Sequence, residues 1–173
     1  RPYANDDEAI LSKLEHYYMT SNVWQMERLL EEGKTSLIFN EIKLPREVRV
    51  EIPKKFTQIC NSDRHEKNIL VATLEHIPVG YICLEQYPDS TTAWITNLVV
   101  NQSLRRQGIG TALLLAGHTW ALQRKWRRVI IDMQTKNYPA IQLVLRAGYE
   151  FNGFHDNYYP NHDIALFFAR FIR

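Results

Sequence analysis

The chain has 173 residues, 45% of them hydrophobic and 12% aromatic, which is enough apolar material for the core of one domain. Its 21 Lys and Arg residues nearly balance its 19 Asp and Glu residues, so no strong net charge favours a nucleic-acid or membrane partner. No apolar run approaches the roughly 20 residues of a membrane span, and we expect no signal peptide in the polar first residues. The chain has two cysteines, Cys60 and Cys83, and no disulfide framework, which indicates a reducing, cytoplasmic setting.

The first quarter of the chain combines a predicted helix with a predicted hairpin. Residues 7–18 have apolar side chains at helical spacing, behind a cap at Asn5 or Asp6. A Glu-Glu-Gly-Lys turn then separates two strand-like segments, residues 22–29 and 35–42. We expect these two segments to pair as a β-hairpin.

Shorter elements follow up to residue 68. Pro45 should end the hairpin, because proline cannot donate a hydrogen bond to a strand ladder. Residues 47–52 place valine and isoleucine at alternate positions and predict a short strand that Pro53 ends. Residues 55–66 are mostly polar and predict a short helix or a loop.

From residue 69 onward the chain is a regular series of strands and helices. The predicted elements are a hairpin of residues 69–74 and 79–86, a strand over 93–100, a helix from about Ile109, a parallel strand over 129–133, a helix over 137–146, and closing strands over 149–154 and 163–172. This order predicts one α+β domain with a mixed, mostly antiparallel sheet flanked by helices.

The loop between the strand over 93–100 and the next helix carries Arg105, Arg106, Gly108 and Gly110. A helix start has backbone N–H groups without intrahelical partners and a partial positive charge, and both favour phosphate. The glycines allow a ligand to approach the backbone, and the arginines supply full charges. These features together predict an anion site at the start of the helix.

Two common nucleotide-binding motifs do not fit this loop. A P-loop requires a Gly-Lys-Ser or Gly-Lys-Thr sequence that the chain lacks, and a Rossmann fingerprint requires a third glycine where Leu113 stands. A glycine-containing turn beside a pair of surface arginines is the purely structural alternative.

Two motifs together resemble the GCN5-related N-acetyltransferase (GNAT) family. The first is Arg-x-x-Gly-x-Gly over residues 105–110, after Leu98-x-Val100, which is similar to the acyl-CoA pyrophosphate loop of that family. The second is Asn-x-x-Ala-x-x-Leu followed by Gly-Tyr over residues 137–149, which resembles the family's last α–β unit. The resemblance covers about residues 69–171. Within the family, Gln134-Thr135, Asn137, Gly153 and residues 163–168 look most like streptothricin-type acetyltransferases, with ribosomal-protein N-terminal acetyltransferases as a second likeness.

The resemblance implies a binding site for acyl-CoA. In the family, the strands equivalent to residues 93–100 and 129–133 splay apart, and acyl-CoA lies in the gap. The backbone of the first strand would pair with the pantetheine, the loop amides would hold the pyrophosphate, and a helix-start asparagine would contact the pantetheine arm. The cofactor-binding residues implied in this way are Leu98, Val99, Val100, Arg105, Arg106, Gln107, Gly108, Ile109, Gly110, Thr111 and Asn137.

The chemistry of acyl transfer then indicates three catalytic positions. At neutral pH only about one part in a few thousand of a lysine-like amine is unprotonated, so a base or a water path is needed. The resemblance carries the family's common carboxylate position onto Asp132, whose short side chain favours a relaying water, and Glu85 on the neighbouring strand is the other candidate. Either carboxylate could instead pair or cap structurally. The backbone N–H of Val100 or its neighbour would meet the oxyanion.

The usual general acid of the family is absent at its expected position. Many relatives have a tyrosine where this chain has Val144. Tyr138, Tyr158 and Tyr159 could replace it if the last loop folds over the site, and a thiol with a pKa near 8.5 can also leave as the thiolate.

The resemblance therefore implies acetyl-CoA-dependent transfer to a primary amine, of an antibiotic-like or polyamine-like small molecule, by direct attack in a ternary complex. A peptide or protein N-terminus as acceptor and a non-catalytic acyl-CoA sensor are the alternatives. Residues 1–68 would form the variable substrate side of a single domain, and residues 69–173 its acyl-CoA-binding core. We expect a monomer or homodimer without metal, nucleic acid or membrane, because His155 and His162 lack ligand partners at metal-site spacing and the basic run 124–128 suits a helix C-terminus.

Overall fold

The computed structural model describes residues 1–52, 68–87 and 91–173. The segments between these ranges contain the predicted helix or loop over residues 55–66 and Cys60, which therefore lie outside the described residues. In chain order the described elements are a 3₁₀ turn (Asn5–Asp7), α1 (Glu8–Leu11), β1 (Tyr17–Glu31), β2 (Lys34–Glu51), β3 (Ile69–Leu74), β4 (Ile77–Gln86), β5 (Thr92–Val100), a 3₁₀ turn (Gln102–Leu104), α2 (Ile109–Gln123), β6 (Arg128–Gln134), α3 (Tyr138–Arg146), β7 (Glu150–His155) and β8 (Ala165–Phe171).

The main sheet has six strands in the order β3-β4-β5-β6-β8-β7. Among the described strands, β5 and β6 are parallel and are connected by α2, and the other neighbouring pairs are antiparallel. The predicted mixed, mostly antiparallel sheet is therefore confirmed. Strands β1 and β2 form a separate two-stranded sheet, which we call the β1–β2 arm.

Apolar side chains on the two faces of the main sheet form two separate cores. The larger core packs α2 and α3 on one face, where Leu114 and Ile141 meet Ile95 and Phe168, all four of them fully or almost fully buried. The smaller core lies on the opposite face and joins Leu11 of the N-terminal segment to residues of β3, β4 and β5. The strands between the helices and the N-terminal segment are thus held rigidly from both sides.

The predicted helix over residues 7–18 is wrong in extent, because α1 covers only Glu8–Leu11. Leu11 and Leu14 are buried in the smaller core, and from Tyr17 the chain pairs with β2 as a strand. Burial and strand pairing override the helical spacing of these side chains. The predicted cap at Asn5 or Asp6 is also wrong.

Asp7 holds the N-terminal turn instead. Its carboxylate accepts the Ala4 backbone N–H at 2.8 Å and pairs with the Arg1 guanidinium at 2.6 Å. Hydrogen bonding from Arg1 is the main reason that the pKa of Asp7 lies below its usual value.

The predicted hairpin is confirmed, with Trp24 opposite Glu41 and Leu29 opposite Ser36. It extends further than predicted, because Pro45 does not end β2. The register changes from Asn22 opposite Lys43 to Thr20 opposite Val48, so residues 44–47 form a bulge in which proline needs no ladder hydrogen bond. The predicted strand over residues 47–52 is thus the continuation of β2 up to Glu51 rather than a separate element.

The predicted elements after residue 68 are confirmed with small shifts at their ends. Gly108 caps α2 in a left-handed conformation, with φ of 87°, and the Asn137 side chain accepts the Ala140 N–H at 3.3 Å to cap α3. His118 of α2 is buried and bonds Tyr149 at 2.8 Å. Burial lowers the pKa of His118 to about 4, with a further contribution from Arg170. In the described residues no helix is both long and apolar enough to cross a membrane.

Candidate functional site

Strands β5 and β6 separate in the middle of the sheet. Their parallel pairing runs from Thr92 opposite Arg128 to Ile95 opposite Ile131 and stops there, although both strands continue. The gap opens into a cleft of about 340 Å³ lined by the ends of both strands, the start of α2 and the inner side of α3. The predicted splay between these strands is therefore present.

A β-bulge marks the point at which the strands separate. Adjacent residues Leu84 and Cys83 of β4 pair with Ile95 and Asn97 of β5, so Thr96 is the extra residue. A bulge bends its strand and increases the local twist. The bend directs the remainder of β5 away from β6 and thereby opens the cleft.

Backbone groups of β5 that do not pair with β4 face this cleft. Asn101 donates its N–H to the Val79 carbonyl at 2.8 Å, which makes Asn101 and Val79 a hydrogen-bonded pair of the antiparallel ladder. By the alternation of such ladders, Leu98 and Val100 direct their peptide groups away from β4 and toward the gap. Val99 lines the same cleft, but its own N–H and C=O face Tyr81 on β4.

The start of α2 forms a polar end of the cleft. The Ala112 N–H donates to the Gly108 carbonyl and begins the hydrogen bonding of this helix. The N–H groups of Ile109, Gly110 and Thr111 precede this bond and have no acceptor within the helix. Gly108 suits this position because a side chain rarely adopts its positive φ. All of these residues except Ala112 line the cleft, so the predicted anion site opens directly into it.

The two arginines of the loop also line the cleft. Arg105 donates its Nε–H to the Val100 carbonyl at 3.0 Å, and burial lowers the pKa of its guanidinium. This bond ties the loop to the end of β5, and the Nη2 of the same guanidinium donates to the Glu15 carbonyl at 3.5 Å. Gln107 is exposed and points toward the Ser103 carbonyl at 3.5 Å, outside the group of residues that line the cleft.

Helix α3 supplies the opposite wall. Asn137, Ala140 and Leu143 line the cleft, as does Val144, which is fully buried. A Cβ atom on Gly110 would lie 3.2 Å from Leu143, so glycine at that position lets α2 approach α3. The position where relatives have tyrosine is thus an apolar part of the wall.

Asp132 is placed at the vertex of the cleft, and its two carboxylate oxygens accept hydrogen bonds from two aromatic side chains. Trp94 donates its Nε1–H to Oδ1 at 2.7 Å, and Tyr159 donates its hydroxyl to Oδ2 at 2.8 Å. Burial, together with the nearby Asp132, raises the pKa of Tyr159 well above its usual value. The Trp94 ring stacks on Tyr87 at 5.8 Å between ring centroids, so the carboxylate is oriented by a packed aromatic group.

The other predicted catalytic side chains lie elsewhere. Glu85 is on β4 opposite Trp94 and is not among the described residues that line the cleft. Tyr138 bonds Glu41 of the β1–β2 arm, and Tyr158 packs against Tyr159 at 5.1 Å without lining the cleft. Among the predicted replacements for the missing tyrosine, only Tyr159 lines the cleft within the described ranges.

Several residues of the cleft were not predicted from the sequence, among them Tyr17, Tyr18 and Thr96. Tyr17 and Tyr18 enter it from the start of β1, where the helical spacing obscured a strand. Tyr18 donates to Gln134 at 3.0 Å, and Tyr17 bonds Gln102. Thr96 lines the cleft because of the bulge, which depends on the register with β4 and has no local sequence pattern.

A second groove of about 650 Å³ lies between β3 and α2 and is lined mainly by apolar side chains. It shares Ile109 with the first cleft but contains neither the glycines nor Asp132. Across the described parts of the chain no group of histidine, cysteine and acidic side chains is arranged to hold a metal ion.

The cleft suits a long ligand with an anionic end. Its polar end presents free N–H groups and two arginines, its middle presents the backbone of Leu98 and Val100, and its vertex presents Asp132. An acyl-CoA carries a pyrophosphate, an amide-containing arm and a reactive thioester in that same order. The residues present therefore fit acyl-CoA.

Comparisons with known proteins agree with this geometry. Residues 26–149 match the model of the acetyltransferase (GNAT) family. No curated protein matches the sequence.

The fold is also similar to solved structures across the whole chain. A nourseothricin acetyltransferase matches with a TM-score of 0.83 and 16% identity, covering 100% of this chain and 97% of its own. A putative streptothricin acetyltransferase from Bacillus anthracis, in complex with acetyl coenzyme A, matches with a TM-score of 0.78 and 14% identity, covering 99% and 98%. A ribosomal-protein-alanine N-acetyltransferase from Brucella melitensis matches with a TM-score of 0.58 and 23% identity, covering 67% and 75%.

Proposed function

This chain belongs to the acetyltransferase (GNAT) family, and from that premise we propose that it transfers the acetyl group of acetyl-CoA to a primary amine of a small molecule. The observation that carries the proposal is the splay of β5 and β6 beyond Ile95 and Ile131, with a carboxylate at its vertex and an anion site at its other end. The reaction is a direct attack by the amine in a ternary complex.

Acetyl-CoA, when bound, supplies an activated thioester. The loop amides from Arg106 to Thr111 and the Arg105 guanidinium would hold its pyrophosphate, and the backbone of Leu98 and Val100 would pair with its pantetheine arm. The N–H of Val100, or of a neighbouring residue of β5, would donate toward the carbonyl oxygen that gains negative charge.

Asp132 accepts the proton of the acceptor amine, directly or through one water. Its oxygens already accept from Trp94 and Tyr159, and a carboxylate retains further lone pairs for a third donor. Because Val144 is apolar and Tyr159 donates to Asp132, the leaving thiolate takes its proton from solvent. We prefer Asp132 to Glu85 as the base because Asp132 lines the cleft and Glu85 is not among the described residues that do.

The share of this chain that each neighbouring structure matches supports a small-molecule acceptor. The nourseothricin and streptothricin acetyltransferases match the whole chain, including the β1–β2 arm whose base lines the cleft through Tyr17 and Tyr18. The ribosomal-protein-alanine acetyltransferase matches only 67% of the chain. We therefore infer a single domain in which residues 1–68 form the acceptor side and residues 69–173 the acyl-CoA core.

We also propose a cellular compartment, a class of acceptor and an oligomeric state for the protein. Cys83 is buried, and the sequence has only two cysteines and no disulfide framework, which fits a reducing cytoplasm. The acceptor is a soluble small amine rather than a nucleic acid or membrane component, and the active form is a monomer or homodimer.

The test is an acceptor screen. Purified protein and acetyl-CoA are incubated with streptothricin, nourseothricin, spermidine, or short peptides with free N-termini, and both thiol release and the acetylated product are measured. Product from an antibiotic or polyamine supports the proposal. Turnover confined to peptides contradicts the small-molecule acceptor, and tight acetyl-CoA binding without any product contradicts catalysis.

A further inference from the structure

Thr96 and Asp132 both lie at the vertex of the cleft. Ile95 and Ile131 are the last pair between β5 and β6, so Thr96 and Asp132 are the first residues beyond it on either strand. Both line the cleft. The first position of each strand beyond the last pair thus carries a polar side chain.

The Thr96 hydroxyl is unusual in that it is buried without a protein partner. Its Oγ1 has almost no exposed surface, and no residue in the described part of the chain hydrogen-bonds it. Buried hydroxyls nearly always have a partner, and an exception in a binding cleft indicates a ligand that supplies one. Asp132, by contrast, is already held by Trp94 and Tyr159.

We propose that the Thr96 hydroxyl binds the acceptor nitrogen together with Asp132 and thereby selects primary amines over N-methylated ones. This inference rests on the proposed acetyl transfer. A neutral primary amine has one lone pair and two N–H bonds. When the lone pair points at the thioester carbon, one N–H donates to Thr96 Oγ1 and the other donates toward Asp132.

The step is balanced with these two partners. The nitrogen lone pair forms the C–N bond, the C–S bond breaks, and the thiolate leaves with its electron pair. The nitrogen loses one proton to Asp132, and the other N–H remains in the amide product. A secondary amine has one N–H after its lone pair attacks, so it leaves either Thr96 or Asp132 without a donor.

The experiment compares n-butylamine with N-methylbutylamine as acceptors, with acetyl-CoA saturating. The parent protein should prefer n-butylamine by on the order of tenfold or more in kcat/KM, as expected for one lost buried hydrogen bond. Thr96→Val keeps the volume of the side chain and removes the hydroxyl, so the rate with n-butylamine and the preference should both fall by about tenfold. Thr96→Ser should restore the preference.

Two controls separate this inference from its alternatives. Thr92→Val removes a hydroxyl at the opposite end of the same strand and should leave the preference unchanged. Calorimetric titration should show that Thr96→Val binds acetyl-CoA as the parent does. If the parent does not bind acetyl-CoA, the proposed function fails first.

Two results would overturn the role of Thr96 while leaving acetyl transfer intact. One is an unchanged preference in Thr96→Val, which would mean that the N-methyl group is excluded by size alone. The other is a parent protein that uses both butylamines equally.

Discussion

Ile95 and Ile131 form the last pair of the parallel ladder between β5 and β6, and the cleft begins at the next residue of each strand. Up to this pair the sheet is continuous and its apolar side chains are buried in the larger core. Beyond it, the bulge at Thr96 turns β5 outward and leaves the Leu98 and Val100 peptide groups without a partner strand. A small change of register thus produces a ligand site within a rigid sheet.

Gly108 should be needed for the anion site as well as for the local backbone. Gly108→Ala places a side chain at a φ of +87°, which costs about 1 kcal/mol and displaces the loop amides. We expect roughly tenfold weaker acetyl-CoA binding by calorimetry. Gly33→Ala is the matched control, because Gly33 has a φ of +72° at the tip of the β1–β2 arm. It should lose similar stability and bind acetyl-CoA normally, and equal losses of binding in both variants would refute a local role for Gly108.

Asp132→Asn tests the proposed base. The substitution keeps the shape of the side chain but removes its ability to accept a proton, so kcat should fall by about 100-fold or more while the affinity for acetyl-CoA is retained. Asp156→Asn is the control, because Asp156 lies in the exposed loop after β7. Steady-state kinetics over pH 6–9 provides the measurement, and a variant with normal kcat would assign Asp132 a structural role.

How far the sequence predicts this molecule differs along the chain. After residue 68 the strands and helices alternate with clear periods, and their order and the splayed pair were predicted correctly. The cap at Asn137 and the turn at Gly108 were also recognisable, because few residue types occupy such positions.

The errors have physical causes. The segment before Tyr17 has helical spacing, yet its burial against the sheet and the pairing of β1 with β2 decide its structure. Pro45 is accommodated by a bulge that depends on the register of two strands. Thr96 was missed for the same reason, since a register between distant residues leaves no local pattern.

His118 should make the stability of the protein depend on pH. Burial lowers its pKa from 6.5 to about 4, so between these values the unfolded chain binds a proton that the folded chain does not. Stability should therefore fall as the pH is lowered through this window, by roughly 2 kcal/mol, and be independent of His118 above it. Urea unfolding of the parent and of His118→Gln at pH 7 and pH 4.5 measures this. The loss on acidification should be smaller in the variant, and identical losses would contradict the assignment.

Asn137 should have separable roles in folding and in binding. Asn137→Ala removes the cap on the Ala140 N–H and should reduce the free energy of unfolding by about 1 kcal/mol. Asn137→Ser keeps an oxygen that can cap the helix but shortens the group that faces the cleft. We expect near-parent thermal stability with weaker acetyl-CoA binding for the serine variant. Parent-like binding by the serine variant would restrict Asn137 to capping.

The assignment of the cleft to acetyl-CoA is tested most directly by amide hydrogen exchange with and without acetyl-CoA, followed residue by residue by NMR. Val99, which faces β4, should exchange slowly in both samples, whereas the amides of Leu98 and Val100 should become protected only when acetyl-CoA is present. Unchanged exchange at Leu98 and Val100, with new protection instead in the groove between β3 and α2, would place the ligand elsewhere and contradict the assignment.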